Sequence, residues 1–322
     1  MRVFRSLVTL AGLAIIVILV VKVGRDEALT ATARGLGWRS LLVCLPFALI
    51  MAVDTLGWRY AFAYDRVPFL RLVGARIAGE AVNVLSAVAP VGGDAIKVWF
   101  LRPHVPYRES VASVIVAKTT ITLAQALFLL IGAAAAVTMA IDATLVRAML
   151  WLLLAELVGA GGFLAVQVAG LVSRGARWLA RFTKVDALAG AENLDRTLQT
   201  FYRREWRRFA LSVGFHLLGW IMGALEAWLF LYVLQIPASF TTALVIETLG
   251  SAVRFATFFV PGSLGVLEGA NAAAFAALGL GAPAGLAFTL LKRLRQVVWI
   301  ALGALVLLLA RSRMRLAREA SA

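Results

Sequence analysis

Lys118, Lys292, Arg293 and Arg295 stand inside stretches that are otherwise almost wholly apolar. Cations persist in such surroundings where they pair with an acid or face water, and there they draw anions. Two breaks interrupt the apolar pattern, Pro90-Val-Gly-Gly-Asp94 and Pro261-Gly-Ser-Leu-Gly265. Glu80, Asn83 and Lys97 flank the first, and Arg254 and Glu268 the second. Gly92 and Gly93 leave backbone N–H groups open at a helix start, which suits a phosphate or carboxylate. Asp94 and Lys97 are three apart and share one helix face. They fit an N-cap aspartate with an interfacial lysine as well as a ligand contact. The chemistry on offer is recognition of a charged or polar group by ion pairs and hydrogen bonds.

Bond-making machinery is thin. The two histidines, His104 and His216, lack metal-ligand spacing with an acid or with Cys44, and no Gly-x-Ser-x-Gly elbow, phosphate-binding loop or His-Glu-x-x-His occurs. The sequence therefore implies no cofactor, no metal and no catalytic residue. The single cysteine excludes an intrachain disulfide.

Only a membrane can position these groups. With 62% apolar and 15% charged residues over 322, the chain carries more apolar surface than a soluble domain of its size can hide. The net charge of +15 lies mainly between apolar runs, which points to an anionic membrane surface and away from nucleic acid. A crossing helix needs about 20 apolar residues. The expected spans are 7–23, 40–63, 110–140, 146–172, 209–234 and 284–310. The run 7–23 reads as a retained span, because the nearest Ala-x-Ala pattern, Ala31-Thr-Ala33, lies past Lys22 and Arg25. Arg and Lys crowd the segments that are cytoplasmic when both termini are, as in a bacterial-type inner membrane.

For that pattern to hold, 74–101 and 241–279 must each return to the side they enter from, as re-entrant helical hairpins. The expected fold is all-α and polytopic: about six full spans plus two re-entrant hairpins in an inverted repeat. Gly79-Glu-Ala-Val-Asn83 and Gly250-Ser-Ala-Val-Arg254 start the two copies of the motif. Trp58 and Trp228 precede the two prolines, and Gly132 and Gly303 follow them, at nearly the same distances. The whole chain, 1–322, then forms one transmembrane domain, with a first repeat over about 40–140 and a second over about 209–310. A basic cytoplasmic linker, 173–208, joins them. It reads either as an amphipathic helix on the inner leaflet, carrying Arg174, Arg177, Arg181 and Lys184, or as a solvated connection.

In this topology Lys118 and Lys292 each lie about 12 Å into the span after a hairpin, near the midplane. Lys118 can snorkel to the cytoplasmic interface or face a cavity; three cations in Lys292, Arg293 and Arg295 favour a cavity. Glu80 with Arg254 is the natural ion pair if the hairpins face one another. Glu156 and Glu226 have no evident partner. Broken helices meeting at mid-depth are how secondary transporters build a substrate site.

Four segments carry a resemblance: Ala78-Gly-Glu-Ala-Val-Asn83, Val91-Gly-Gly-Asp-Ala-Ile-Lys97, Ala117-Lys-Thr-Thr120 with Gln125, and Phe259-Val-Pro-Gly-Ser-Leu-Gly-Val-Leu-Glu-Gly269. The chain resembles the flippase-like integral membrane proteins grouped with the transmembrane region of lysylphosphatidylglycerol synthase, and within them the hopanoid-biosynthesis-associated branch. Ser263 stands where that family usually has a second glycine, and Asp94 where a glutamate is common. The resemblance implies a flippase or transporter that moves a polar or anionic lipid of phospholipid or hopanoid type between leaflets. About a dozen residues follow the last span, so the synthase reaction is not expected. Two rivals from other classes are a scaffold for lipid-biosynthesis enzymes and a lipid-modifying enzyme using Glu80, Asp94 or Glu268 as acid or base.

Overall fold

The computed structural model describes residues 44–85, 91–180, 188–257, 260, 263 and 265–319. These form eleven α-helices and no strand: α1 Leu45–Tyr60, α2 Phe69–Leu85, α3 Val91–Leu101, α4 Tyr107–Thr138, α5 Ala143–Val168, α6 Val172–Ala180, α7 Leu188–Arg204, α8 Trp206–Val233, α9 Phe240–Ala256, α10 Val266–Ala277 and α11 Ala282–Glu319. Helix starts follow local chemistry. Asp142 accepts from Thr144 N at 2.7 Å to open α5, and Ser239 accepts from Thr242 N at 3.1 Å to open α9.

Among the described residues, four helices are long and apolar enough to cross a membrane: Tyr107–Thr138, Ala143–Val168, Trp206–Val233 and Ala282–Ser312. They fall on four of the six expected spans. The span expected at 40–63 is represented by α1, whose 16 residues reach about 24 Å. The span at 7–23 lies outside the described residues.

The two interrupted segments are helix–break–helix pairs, α2 with α3 and α9 with α10. At 11 and 12 residues, α3 and α10 are too short to cross alone. Residues 86–90 and Pro261-Gly262, which hold both prolines, lie outside the described residues. In the second break Ser263 and Gly265 adopt φ of 48° and 80°. The left-handed backbone suits the glycine, and Glu268 then accepts from Gly265 N at 2.7 Å to start α10.

Glycine contacts set how the helices cross. The α2–α3 crossing is closest at Gly79 and Gly93: a Cβ on Gly93 would lie 2.0 Å from Gly79 O. Gly132 of α4 packs on Thr248 of α9, and Gly303 of α11 packs on Ile77 and Ala81 of α2. From 132 to 303 and from 77 to 248 the step is the same, 171 residues.

Buried apolar residues gather in separate clusters. One joins α1–α4 to α7 through Trp58, Leu72, Leu101, Leu198 and Phe201. Others tie α4, α5 and α9 through Leu129, Met149 and Val245, and α8–α11 through Phe230, Ile246, Phe275 and Phe288. Outward faces are apolar too: Trp151, Val158, Leu305 and Leu308 are exposed, whereas Glu226, Glu247, Lys292 and Arg293 are buried. That inside-out distribution is what a bilayer solvent demands.

The 173–208 region contains α6 and α7, and α7 docks on the body rather than serving only as a solvated connection. Both carboxylate oxygens of Asp195 accept from the start of α6, at Val172 N (3.1 Å) and Ser173 N (2.9 Å). Tyr202 donates to Gln167 at 2.7 Å, and burial pushes its phenol up to about 12. Arg181 and Lys184 lie outside the described residues.

Arg208, at the start of α8, donates to Phe62 O (2.6 Å), Arg59 O (3.0 Å) and Asp65 Oδ1 (2.6 Å), closing the end of α1. Arg208→Ala should lower stability by about 1.5–3 kcal/mol, read as thermal unfolding of the purified protein. Burial pushes the Asp65 carboxyl up, but Arg208 and Arg59 more than offset this and hold it below the usual carboxylate range. Stability from this pair is present above the unfolded carboxylate midpoint and fades as pH falls through the folded one. The variant should lose part of that acid sensitivity.

Candidate functional site

A cavity of about 480 Å³ lies among α1, α2, α4, α8, α9, α10 and α11. Of the residues singled out by sequence, Glu80, Asn83, Arg254, Lys292, Arg293 and Arg295 line it. The structure adds Asp54, Arg76, Glu226 and Glu247, with Phe47, Trp220 and Trp299 as aromatic walls.

The wall is almost fully ion-paired. Arg76 meets Asp54 at 2.8 Å, Arg254 meets Glu247 at 2.9 Å, and Arg293 meets Glu268 at 3.1 Å. Lys292 also binds Glu247, and Arg295 binds Glu226. Arg295 lies 4.1 Å from the Phe47 ring centroid, where a cation is favoured over an aromatic face.

These pairs correct two expectations. Glu80 and Arg254 do not pair, because Arg254 turns to Glu247 two turns earlier on the same helix face. Glu80 is exposed to the cavity and makes no ion pair among the described residues. Glu226, which has no evident partner in the sequence, is the counter-ion of Arg295. The other carboxylate without an evident partner, Glu156, is fully buried, and neither of its oxygens has a hydrogen-bond partner among the described residues. The cavity is thus close to charge-balanced, not a cluster of bare cations. It keeps spare hydrogen-bonding capacity: Arg76 Nε, Arg295 Nε and Glu226 Oε1 are buried without a partner among the described residues.

The remaining expected site residues sit apart from the lining. Asp94 Oδ1 accepts from Lys97 Nζ at 3.1 Å, and its other oxygen accepts from Lys118. The backbone N–H of Gly93, expected to be open to an anion, donates instead to Asn83 Oδ1 at 2.9 Å. Gly93 therefore serves helix crossing and holds Asn83 in the cavity wall, and the Asp94–Lys97–Lys118 cluster lies beside it at the start of α3. Glu268 lies beneath Arg293 and caps α10.

Sequence reasoning missed Asp54 and Arg76 as site residues. Asp54 was open to notice as an acid within an apolar run, while Arg76 reads as one more cytoplasmic charge. Glu247 lies in the second interrupted segment, and its spacing to Arg254 was the available signal. Among the described residues, no group of three His, Cys, Asp or Glu side chains is placed to hold a metal ion.

The sequence profile of the lysylphosphatidylglycerol synthase TM region matches residues 7–314, almost the full chain. The chain belongs to this family. Comparison with curated proteins and with solved structures gives no match. As a member of the lysylphosphatidylglycerol synthase transmembrane family, the protein is an integral membrane protein tied to lipid metabolism. Its buried ion pairs belong to a helical membrane domain, where ionisable groups are rare and face the bundle interior or a cavity.

Proposed function

We propose that this protein is a lipid transporter that carries polar lipids between leaflets through the cavity. The observation that carries the reading is the cavity itself: about 480 Å³, ringed by paired charges inside an apolar helical body. Pockets of roughly this size hold a small polar ligand, here a lipid headgroup. Balanced pairs favour a headgroup that offers both signs of charge or several hydroxyls over a purely anionic one. Such a group exchanges ion-pair partners without leaving a buried charge alone. Glu80 supplies a carboxylate for a cationic part, and Arg254, half-exposed at 34%, supplies a cation for a phosphate.

The helix–break–helix pairs are read as re-entrant hairpins related by an inverted repeat. The matching crossings at Gly132–Thr248 and Gly303–Ile77 support that reading. The charge pattern of the loops supports a reading with both termini on the cytoplasmic side of a bacterial-type inner membrane. A phospholipid-type or hopanoid-type lipid then changes leaflets unaltered, and the protein is not an enzyme.

Gly223 offers a direct test. It lines the cavity, and a Cβ there would come no nearer than 3.8 Å to Glu247, so a larger side chain fills the cavity without displacing backbone. In proteoliposomes bearing tail-labelled phosphatidylglycerol or phosphatidylethanolamine, bleached from outside by dithionite, Gly223→Leu should slow translocation at least tenfold. Its thermal stability should equal or exceed wild type, since a mid-helix glycine is replaced by a good helix former. Lipid recovered after turnover should have unchanged mass. Equal translocation by the variant, or an altered lipid mass, would overturn the reading.

A further inference from the structure

Asp54 of α1 and His216 of α8 form a polar contact that the translocation reading does not use. His216 is fully buried, and its Nδ1 lies 3.1 Å from Asp54 Oδ1. Arg76 holds the other oxygen of Asp54. The pair is built by reciprocal glycines three residues away on each helix. A Cβ on Gly57 would strike the imidazole at 2.7 Å, and one on Gly219 would strike Asp54 Oδ1 at 2.6 Å. Asp54 and Gly219 reach the cavity, whereas His216 lies behind them.

With the carboxylate facing Nδ1, the ring proton lies on Nδ1 and donates to Oδ1. Nε2 is then a buried acceptor with no partner among the described residues. A second proton on Nε2 would create a buried donor facing no acceptor, which is disfavoured unless the site opens to water. The charged groups acting on the ring are Asp54 from α1, Arg76 from α2 and Lys97 from α3. Other elements packed on α8 bring partnered groups: α4 presents Thr120 to Ser212, α7 presents Tyr202 to Phe209, Glu247 of α9 binds Lys292, and Arg295 of α11 binds Glu226.

The geometry points to a proton-binding site at Asp54–His216, in which a proton entering through the cavity binds Nε2 as α1 and α8 part. Protonation then favours the parted conformation, because only there does Nε2–H meet water. If one proton enters from one side and leaves on the other in each cycle, translocation is proton-linked; this half rests on the translocation reading.

Two arms test it on the full chain. The protein has two histidines, so ¹⁵N-histidine NMR in lipid nanodiscs, with His104→Gln for assignment, isolates the ring of His216. His216 should pass from Nδ1–H neutral to imidazolium as the pH is lowered across the range in which the protein stays folded, with several-fold faster hydrogen exchange of the amides around Gly57. A ring that stays neutral throughout, or titrates without change in exchange, overturns the site. In the second arm, proteoliposomes containing tail-labelled phosphatidylethanolamine carry a one-unit pH gradient. One proton per lipid biases the leaflet ratio by up to about tenfold. His216→Gln should translocate downhill as wild type does but hold that ratio near one. Translocation indifferent to the gradient in wild type overturns the coupling and leaves the transport reading standing. Absence of any translocation defeats the transport reading, and the NMR arm then decides the proton site alone.

Discussion

Glu247→Gln is expected to destabilise the protein by about 3–5 kcal/mol, the largest loss from any single side chain in the cavity wall. Glu247 is buried at 5% exposure and serves two cations, Lys292 and Arg254. Arg254 is partly exposed and can turn to water. Lys292 is 6% exposed, its amine over the Phe288 ring, and has no such route. A glutamine keeps the shape and one acceptor but removes the charge, so the ammonium is left in a poorly solvated site. Thermal unfolding in detergent should show the loss, and Glu247→Leu combined with Lys292→Met should recover most of it, because an apolar pair of similar volume has no charge to desolvate. A Glu247→Gln protein as stable as wild type would mean that Lys292 is solvated or paired elsewhere. Translocation separates the variants further: the double variant should fold yet transport poorly, since both polar groups leave the cavity.

That contrast marks how far the sequence can be read. Lys292, Arg293 and Arg295 announce a cavity, because three cations in four residues cannot all reach an interface from mid-span, and all three do line it. What they bind depends on packing across the chain. Arg295 finds Glu226, 69 residues earlier, and Lys292 finds Glu247, 45 residues earlier. Neither pairing follows from local spacing. The Glu80–Arg254 pairing failed for a legible reason: a gap of seven residues sets Glu247 beside Arg254 on one helix face, and a pair within one helix needs no assumption about how two hairpins meet. Helices were readable where apolar runs were long, as for α4, α5, α8 and α11. The Asp54–Arg76–His216 contact was not, since it joins three helices through glycine clearances at Gly57 and Gly219 that no pattern of types encodes.

Gly93→Ala should be the most damaging small substitution. Its methyl would fall 2.0 Å from Gly79 O and 2.3 Å from Asn83 Oδ1, and the first of these is backbone that cannot rotate away. The α2–α3 crossing must open, with a loss of about 3 kcal/mol or more, the upper end for overpacking. Opening it also breaks the Gly93 N–H to Asn83 bond and shifts Asn83 from the cavity wall, so translocation should fall together with stability. Gly161→Ala is the matched control: nothing lies within 4 Å of a Cβ there, and removing a mid-helix glycine should raise stability by up to about 1 kcal/mol. If both alanines behave alike, the α2–α3 helices do not approach at Gly79 and Gly93. If Gly93→Ala alone fails, and Asn83→Ala reproduces its transport defect without its instability, then the crossing shapes the cavity through Asn83. The first break in the apolar pattern would then act by packing and not by presenting backbone N–H groups to a ligand.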